Sequence, residues 1–194
     1  MHDDLGAGLT RIRFLSEHIQ EKTDMGESIL PELKKLQNFS SELVESMGEI
    51  VWAVSEKNNL LSNTLYYLRS YAVNYCEEND LDCHFEMPEH FKDCFVSGNT
   101  RRNIFLMMKE CLHNSVKHAQ AKSIRIKSVI GSDLQLIISD DGKGFSTTEE
   151  GKGNGLINMK KRIQELNGTI RFENNKGMTV ITHLPLNTNQ RTIV

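Results

Sequence analysis

The first third of the chain places apolar residues at helical spacing. Over residues 4–21, apolar side chains recur every three or four positions, at Leu5, Leu9, Ile12, Leu15 and Ile19. A polar stretch with Gly26 follows, and Pro31 suits the first turn of a second helix. That helix repeats apolar positions over heptads with one serine among them, at Leu33, Leu36, Ser40, Leu43, Met47, Ile50 and Val54. The pattern predicts two helices in an antiparallel hairpin.

The predicted hairpin carries more apolar surface than its own two helices can cover. Four further residues widen the stripe of the second helix, namely Phe39, Val44, Val51 and Trp52. Two copies of such a hairpin bury this surface in a four-helix bundle, so we predict a homodimer through residues 5–54. Packing of the hairpin on the rest of the chain is the alternative. The polar residues 56–59 predict a linker.

The periodicity changes after the linker. Helical spacing predicts helices over residues 60–78, 100–119 and 156–166. Alternating or short apolar runs predict strands over residues 83–91, 123–130, 134–139, 169–173 and 178–184. Helices on one side of a mostly antiparallel or mixed sheet form an α/β sandwich, so the predicted fold class is α+β. The predicted domains are the hairpin at residues 1–57 and the sandwich at 60–186, with a flexible tail at 187–194.

Composition narrows the class of protein. Of 194 residues, 38% are hydrophobic and 25% are charged. The net charge of −3 is not typical of nucleic-acid-binding proteins, which usually carry a basic surface stripe. Apolar runs stay far below the ~20 residues of a membrane-spanning helix, and the N-terminus carries no secretory signal. The four cysteines contain no C-x-x-C pair, which favours free thiols in a reducing compartment. We therefore expect a cytoplasmic chain that neither binds nucleic acid nor inserts into a membrane.

Residues 110–119 place polar side chains on one face of a predicted helix. Glu110 and Asn114 are one turn apart, and a carboxylate beside an amide oxygen can hold Mg²⁺. Lys117 lies near the next turn, where its ammonium group can reach a phosphate. An ordinary solvated helix face explains the same pattern.

Two glycine-containing loops add a candidate nucleotide site. Asp140 ends an apolar strand, and its carboxylate can accept a hydrogen bond from an adenine amino group. Gly142 and Gly144 follow and let the backbone approach a flat ligand. Gly153 and Gly155 precede a helix whose first N–H groups attract a phosphate. Each loop alone is also an ordinary turn, and the second one is neither a P-loop nor a dinucleotide fingerprint.

Taken in order, the motifs E-x-x-x-N-x-x-K-H-A, D-x-G-x-G-F and G-x-G-L-x-N-M resemble the GHKL (Bergerat) ATP-binding domain. Sensor histidine kinases, type II topoisomerases, Hsp90 chaperones and MutL share that domain. The resemblance covers about residues 60–186. It implies Asn114 and Glu110 at Mg²⁺, Asp140 at the adenine, and Thr179 in the closing strand beside Asp140. It also implies a nucleotide surrounded by Lys117, His118, Gly142, Gly144, Gly153, Gly155 and Leu156.

The lid and the N-terminus resemble one branch of this family, the sensor kinases with a short lid. The resemblance implies that residues 146–152 are the short lid, and residues 2–6 match the H-D-x-L-G box in which the histidine accepts the phosphoryl group. A neutral imidazole is a competent nucleophile near pH 7, and the adjacent Asp3 can accept a proton or orient the ring. The resemblance therefore implies catalytic roles for His2, Asp3 and Glu110.

The implied function is that of the cytoplasmic core of a larger, membrane-anchored two-component sensor. Mg-ATP phosphorylates His2, which passes the group to an aspartate of a response-regulator receiver domain. One alternative is a pseudokinase that binds nucleotide without phosphotransfer. Another is an ATP-hydrolysing clamp of the topoisomerase or chaperone kind, which needs more chain than 194 residues.

Two positions depart from the pattern of the family. Ala7 stands where relatives with strong phosphatase activity often carry a glutamine, so a residue that positions a hydrolytic water is missing. His2 is nearly the first residue, and the first turn of a helix lacks internal acceptors for its N–H groups. We therefore expect an excised core in which His2 is mobile and is phosphorylated slowly.

Overall fold

The computed structural model describes residues 2–144, 154–174 and 176–186, with side chains except at residues 2–5 and 154. The chain forms two compact units, Met1–Ser55 and Glu56–Val194. The boundary lies at a polar 3-10 helix, Glu56–Asn58. Among the described residues, no helix combines the length and the apolar character needed to cross a bilayer.

The first unit is a helical hairpin of α1 (His2–Asp24) and α2 (Leu30–Val54). Gly26, with a left-handed φ of 70°, reverses the chain between them. Near one end of the pair, Gly8 packs against the Leu43 side chain. Near the loop, Lys22 Nζ lies 2.9 Å from Glu32 Oε1. The two contacts establish the antiparallel arrangement of the helices.

The apolar residues of α2 divide into two seams, where the sequence pattern had predicted one. The covered seam contains the half-buried or buried positions Glu32, Leu36, Phe39, Leu43, Ser46, Ile50 and Ala53. The exposed seam contains Leu30, Leu33, Val44, Met47, Val51 and Val54, which are 42–72% exposed. The predicted heptad positions fall in both seams, since Leu36, Leu43 and Ile50 are half-buried and Leu33, Met47 and Val54 are exposed.

The second unit is built on a five-stranded mixed sheet in the order β1-β2-β3-β5-β4. Its strands are β1 (Asp82–Glu86), β2 (Ser123–Ile130), β3 (Asp133–Asp140), β4 (Thr169–Asn174) and β5 (Met178–Pro185). β1 pairs with β2 in parallel, and the other neighbours are antiparallel. This sheet confirms the predicted α/β sandwich. The first strand is shorter than the predicted residues 83–91, which include Pro88, a residue without an N–H donor.

Three helices accompany the sheet, α3 (Leu61–Glu78), α4 (Gly98–Asn114) and α5 (Asn154–Gln164). α4 begins before the predicted residue 100 because the Ser97 hydroxyl accepts a hydrogen bond from the Thr100 N–H. At its other end, α4 gives way to a π-helical turn, Ser115–Ala119, which ends at Gln120 with a left-handed φ of 53°. Such π turns are frequent at functional sites.

One face of the sheet is buried against the helices. Burial alternates along β3 and β5, so that Leu134, Leu136 and Ile138 share the inner face with Val180 and Leu184. On the helical side, Phe105 lies fully buried in α4. Its ring meets those of Tyr71 and Tyr67 at centroid distances of 4.7 and 5.4 Å. The core of the second unit is thus built from the inner face of its own sheet and its own helices.

Candidate functional site

The carboxylate of Asp140, the last residue of β3, is held by donors from three parts of the chain. Oδ1 accepts hydrogen bonds from the backbone N–H groups of Gly142 (2.9 Å) and Met178 (3.2 Å). Oδ2 lies 3.0 Å from the hydroxyl of Ser115 in the π-helical turn. The side chain is therefore fixed where β3, β5 and the end of α4 meet.

The D-x-G turn packs directly against the π-helical turn. The Lys143 N–H donates to the Ala119 carbonyl oxygen at 3.0 Å. A Cβ atom added at Gly142 would lie 2.5 Å from that same oxygen. Gly144 has a φ of 69°, and an added Cβ would collide with the Asn174 side chain. The contacts of the chain with itself therefore require both glycines, in addition to the ligand approach that the sequence suggested.

Glu110 and Asn114 occupy the last turn of α4, and both side chains are half-buried. Glu110 Oε1 lies where a Cβ of Gly155, in the first turn of α5, would stand. This contact brings the carboxylate to the N-terminal end of α5. Carboxylate and amide oxygens one turn apart suit Mg²⁺, which keeps several water or phosphate ligands of its own. In the described residues, no three His, Cys, Asp or Glu side chains cluster as a closed metal site.

Thr179 does not lie beside Asp140, and this predicted site residue is corrected. In the β3–β5 register it pairs with Ser139, and its hydroxyl donates to Ser139 Oγ at 3.1 Å. Side chains alternate between the faces of a strand, so Thr179 and Ser139 lie on the face opposite Ile138 and Asp140. The residue of β5 next to Asp140 on the inner face is the buried Met178, whose N–H binds it.

Residues 99–188 match the family model of histidine kinase-, DNA gyrase B- and HSP90-like ATPases. The chain is 25% identical, over 98% of its length, to the signal transduction histidine-protein kinase/phosphatase DegS of Brevibacillus brevis. It is also 25% identical, over 96% of its length, to the sensor histidine kinase DesK of Bacillus subtilis. It spans about half the length of these relatives, 50% and 49%.

The fold agrees with solved structures. The histidine kinase AdeS of Acinetobacter baumannii matches with a TM-score of 0.60 and 19% identity, covering 96% of this chain and 98% of that one. The histidine kinase domain of a blue-light activated kinase from Erythrobacter litoralis EL346 matches with a TM-score of 0.58 and 15% identity, covering 95% and 93%. Residues 99–188 thus belong to the ATPase family that histidine kinases share with DNA gyrase B and HSP90. The GHKL-type domain expected from its motifs is thereby confirmed.

Three further predicted site residues lie on the π-helical turn or in the first turn of α5. Lys117 and His118 are exposed on the π-helical turn that carries Ser115, and Leu156 is half-buried in the first turn of α5. Gly153 and the lid at residues 146–152 lie outside the described residues. The same holds for the side chains of His2 and Asp3, although the backbone of α1 begins at His2.

Sequence reasoning missed two residues of the candidate site, Ser115 and Asp141. Ser115 contacts Asp140 from the π-helical turn, and its hydroxyl also lies 3.0 Å from the Cys111 carbonyl oxygen. Asp141 accepts hydrogen bonds from two backbone N–H groups at the start of β2. The sequence held a signal for Asp141, namely its position directly after Asp140. Adjacent residues at the end of a strand point to opposite faces, so Asp141 needs a role different from that of Asp140.

Proposed function

We propose that this chain is the catalytic core of a two-component sensor that binds Mg-ATP, phosphorylates its own His2 and passes the phosphoryl group on. The acceptor is an aspartate in the receiver domain of a response regulator. The observation that carries the proposal is the convergence at Asp140 of the D-x-G turn, β5 and the helix that bears Glu110 and Asn114.

The hydrogen bonds of Asp140 leave room for a purine. Its carboxylate has about four lone-pair positions, and three are used by Gly142, Met178 and Ser115. The remaining position can accept a hydrogen bond from an exocyclic amino group. Adenine has this donor, and guanine presents a carbonyl oxygen at the corresponding atom. The site therefore favours ATP over GTP.

The polyphosphate would extend from the adenine towards the end of α4 and the start of α5. Glu110 and Asn114 would hold Mg²⁺, whose charge lowers the cost of placing a nucleophile near the phosphates. Lys117 is exposed on the adjacent turn and supplies a positive charge within the same surface. These residues orient the γ-phosphate, and positioning accounts for most of phosphoryl-transfer catalysis.

The transfer step uses the neutral imidazole of His2. One ring nitrogen attacks the γ-phosphorus, the bond from that phosphorus to the bridging oxygen breaks, and ADP leaves with the bonding electrons. The proton on the other ring nitrogen can pass to Asp3, which otherwise orients the ring. The phosphohistidine then donates its phosphoryl group to the receiver aspartate.

The exposed seam of the hairpin supports a homodimer. Six large apolar side chains along α2 are 42–72% exposed, and clustered exposed apolar residues mark interaction surfaces. A second copy would cover the seam in a four-helix bundle. We further propose that the whole protein is a membrane-anchored sensor whose kinase core faces the cytoplasm.

The test follows γ-labelled ATP with Mg²⁺ over time and separates protein-bound from free phosphate. We expect acid-labile, base-stable label on the chain, which is lost in His2→Gln and in Asp140→Asn. His18→Gln is the matched control, because His18 is an exposed histidine of the same helix, and it should keep the label.

Each other outcome points to a rival function. Nucleotide binding without label would favour a pseudokinase. Free phosphate without label would favour an ATP-hydrolysing clamp. Label that persists in His2→Gln would exclude His2 as the acceptor. Label that passes to an added receiver domain would support the last step of the proposal.

A further inference from the structure

Asp141 directly follows Asp140 and binds a different part of the chain. Its Oδ1 atom accepts hydrogen bonds from the backbone N–H groups of Lys122 (2.8 Å) and Ser123 (2.9 Å). Its own N–H donates to the Ser123 carbonyl oxygen at 3.3 Å. These three bonds join the residue after Asp140 to Ser123, the first residue of β2, and to Lys122 before it.

The segment that Asp141 binds is the return path from the π-helical turn to β2. After Gln120, in its left-handed conformation, the Ala121 N–H donates to the Ser115 carbonyl oxygen at 3.0 Å. The hydroxyl of the same Ser115 contacts Asp140. Asp141 therefore links the D-x-G turn to the segment that follows the π-helical turn, and Ser115 of that turn contacts the Asp140 carboxylate.

The D-x-G turn is attached on both sides of Gly142. On one side Asp141 binds the start of β2, and on the other the Lys143 N–H binds the Ala119 carbonyl oxygen. Gly142 itself leaves no space for a side chain against Ala119. If the bonds of Asp141 are removed, only the bond of Lys143 to Ala119 holds the turn, and the turn can rotate about it. We therefore expect the orientation of Asp140 to depend on both attachments.

Asp141 is placed to fix geometry and not to contact a nucleotide. As neighbours at a strand end, Asp140 and Asp141 point to opposite faces of the sheet. The backbone N–H groups of Ser123 and Lys122 lower the pKa of Asp141 below its usual value. The carboxylate is therefore charged at neutral pH, and both of its hydrogen bonds are charge-assisted.

We propose that Asp141 is a positioning residue that holds residues 140–143 against the π-helical turn and so fixes the Asp140 carboxylate for the amino group of a purine. The functional part of this inference rests on the proposed ATP site. Its structural part concerns only the coupling between Asp141 and Asp140, and it can be measured without nucleotide.

The structural test is amide hydrogen exchange on the full chain without nucleotide. Asp141→Ala removes the acceptor, whereas Asp141→Asn keeps an Oδ1 acceptor and removes only the charge. We expect Asp141→Ala to speed exchange at Lys122 and Ser123, which lose their acceptor. It should also speed exchange at Gly142 and Met178, whose N–H groups bind Asp140, and Asp141→Asn should restore most of the protection. Unchanged exchange at Gly142 and Met178 would make Asp141 a local cap and overturn the proposal.

The functional test measures the dissociation constant for Mg-ATP by equilibrium binding. We expect Asp141→Ala to weaken binding about tenfold, the effect of losing hydrogen bonds to a charged group, and Asp141→Asn to stay within about threefold. The control Glu165→Ala removes an equal charge from an exposed position of the same unit and should bind like wild type. At saturating ATP the labelling rate should fall less than the affinity, because Asp141 does not touch the phosphates.

The outcomes separate the two proposals. Equal ATP affinity of wild type and Asp141→Ala would overturn the positioning role. A wild type that binds no ATP would overturn the proposed function, and the exchange rates would still decide whether Asp141 fixes Asp140. If Asp141→Ala does not fold by circular dichroism, Asp141→Ser replaces it, because the serine hydroxyl is an uncharged, weaker acceptor on a shorter side chain.

Discussion

The two units of the chain differ in how completely each covers its own apolar residues. In the second unit, residues from both helices and sheet are at most 2% exposed, among them Leu65, Leu68, Phe105, Ile126 and Leu136. In the described part of the first unit, Ala53 is the one buried hydrophobic residue. The second unit thus buries its apolar residues within itself. The hairpin buries only its covered seam, and the apolar residues of its exposed seam need another surface to cover them.

The largest expected effect tests the independence of the second core. Phe105→Ala should lower the free energy of unfolding of the second unit by about 3–5 kcal/mol, because it leaves a cavity beside Tyr67 and Tyr71. The single tryptophan, Trp52, lies in α2, so its fluorescence reports on the hairpin while circular dichroism follows both units. We expect the dichroism transition to move and the fluorescence transition to stay. Equal shifts in both would contradict the division into two cores.

The next effect tests what covers the exposed seam. Met47→Asp combined with Val51→Asp should weaken dimerisation about a hundredfold or more, because the charges would be buried in an apolar interface. Analytical ultracentrifugation measures the change. Ser41→Asp is the matched control, since Ser41 is exposed on α2 and lies on neither seam. A dimer that tolerates the double variant would place the interface elsewhere.

A smaller effect tests the packing of the D-x-G turn within the second unit. Gly142→Ala should lower the free energy of unfolding by about 1–3 kcal/mol and weaken ATP binding, because its Cβ would push the backbone away from Ala119. Gly131→Ala provides the control, since a Cβ there meets nothing within 4 Å. Thermal melting and equilibrium ATP binding check both variants. Equal melting temperatures and equal ATP affinities of the two alanine variants would show that the turn accommodates a Cβ at residue 142 without loss of stability.

The smallest effect concerns the ion pair between Lys22 and Glu32 near the loop of the hairpin. Glu32 is the first residue of the covered seam. The hydrogen bond from Lys22 lowers the pKa of Glu32 below its usual value. A carboxyl whose folded pKa is lowered stabilises the fold above its unfolded pKa, and this stabilisation disappears as the pH falls through the folded value. Glu32→Gln should therefore reduce the loss of hairpin stability in acid, measured by Trp52 fluorescence in denaturant at a series of pH values. Glu42→Gln, at an exposed site, should leave the acid sensitivity unchanged.

Periodicity and motif order predicted much of this molecule, because both reflect local constraints. Residues 110–119, 140–144 and 153–155 predicted the nucleotide-binding fold from sequence alone, since a binding loop needs its residue types at fixed spacing. Alternation along short strands predicted a mostly antiparallel or mixed sheet, and the observed sheet is mixed. The glycines at 142 and 144 were identified as special positions, although contacts with Ala119 and Asn174 add a second reason for them.

Features that depend on partners distant in sequence were not predicted. The split of the α2 stripe into two seams depends on which residues α1 covers, and spacing alone cannot distinguish Leu33 from Leu36. The face of Thr179 depends on the register of β5 against β3, where one residue reverses the side chain. The role of Asp141 depends on backbone N–H groups at residues 122 and 123, on another strand.

The proposed function requires the site around Asp140 to deliver a phosphoryl group to His2. The most direct measurement incubates the full chain with Mg-ATP, digests it at neutral to alkaline pH and locates the phosphoryl group by tandem mass spectrometry. The account predicts a phosphorylated histidine at position 2 in wild type, formed with one ADP per group and absent in Asp140→Asn. A phosphoryl group on another residue, or one on His2 that persists in Asp140→Asn, would contradict it.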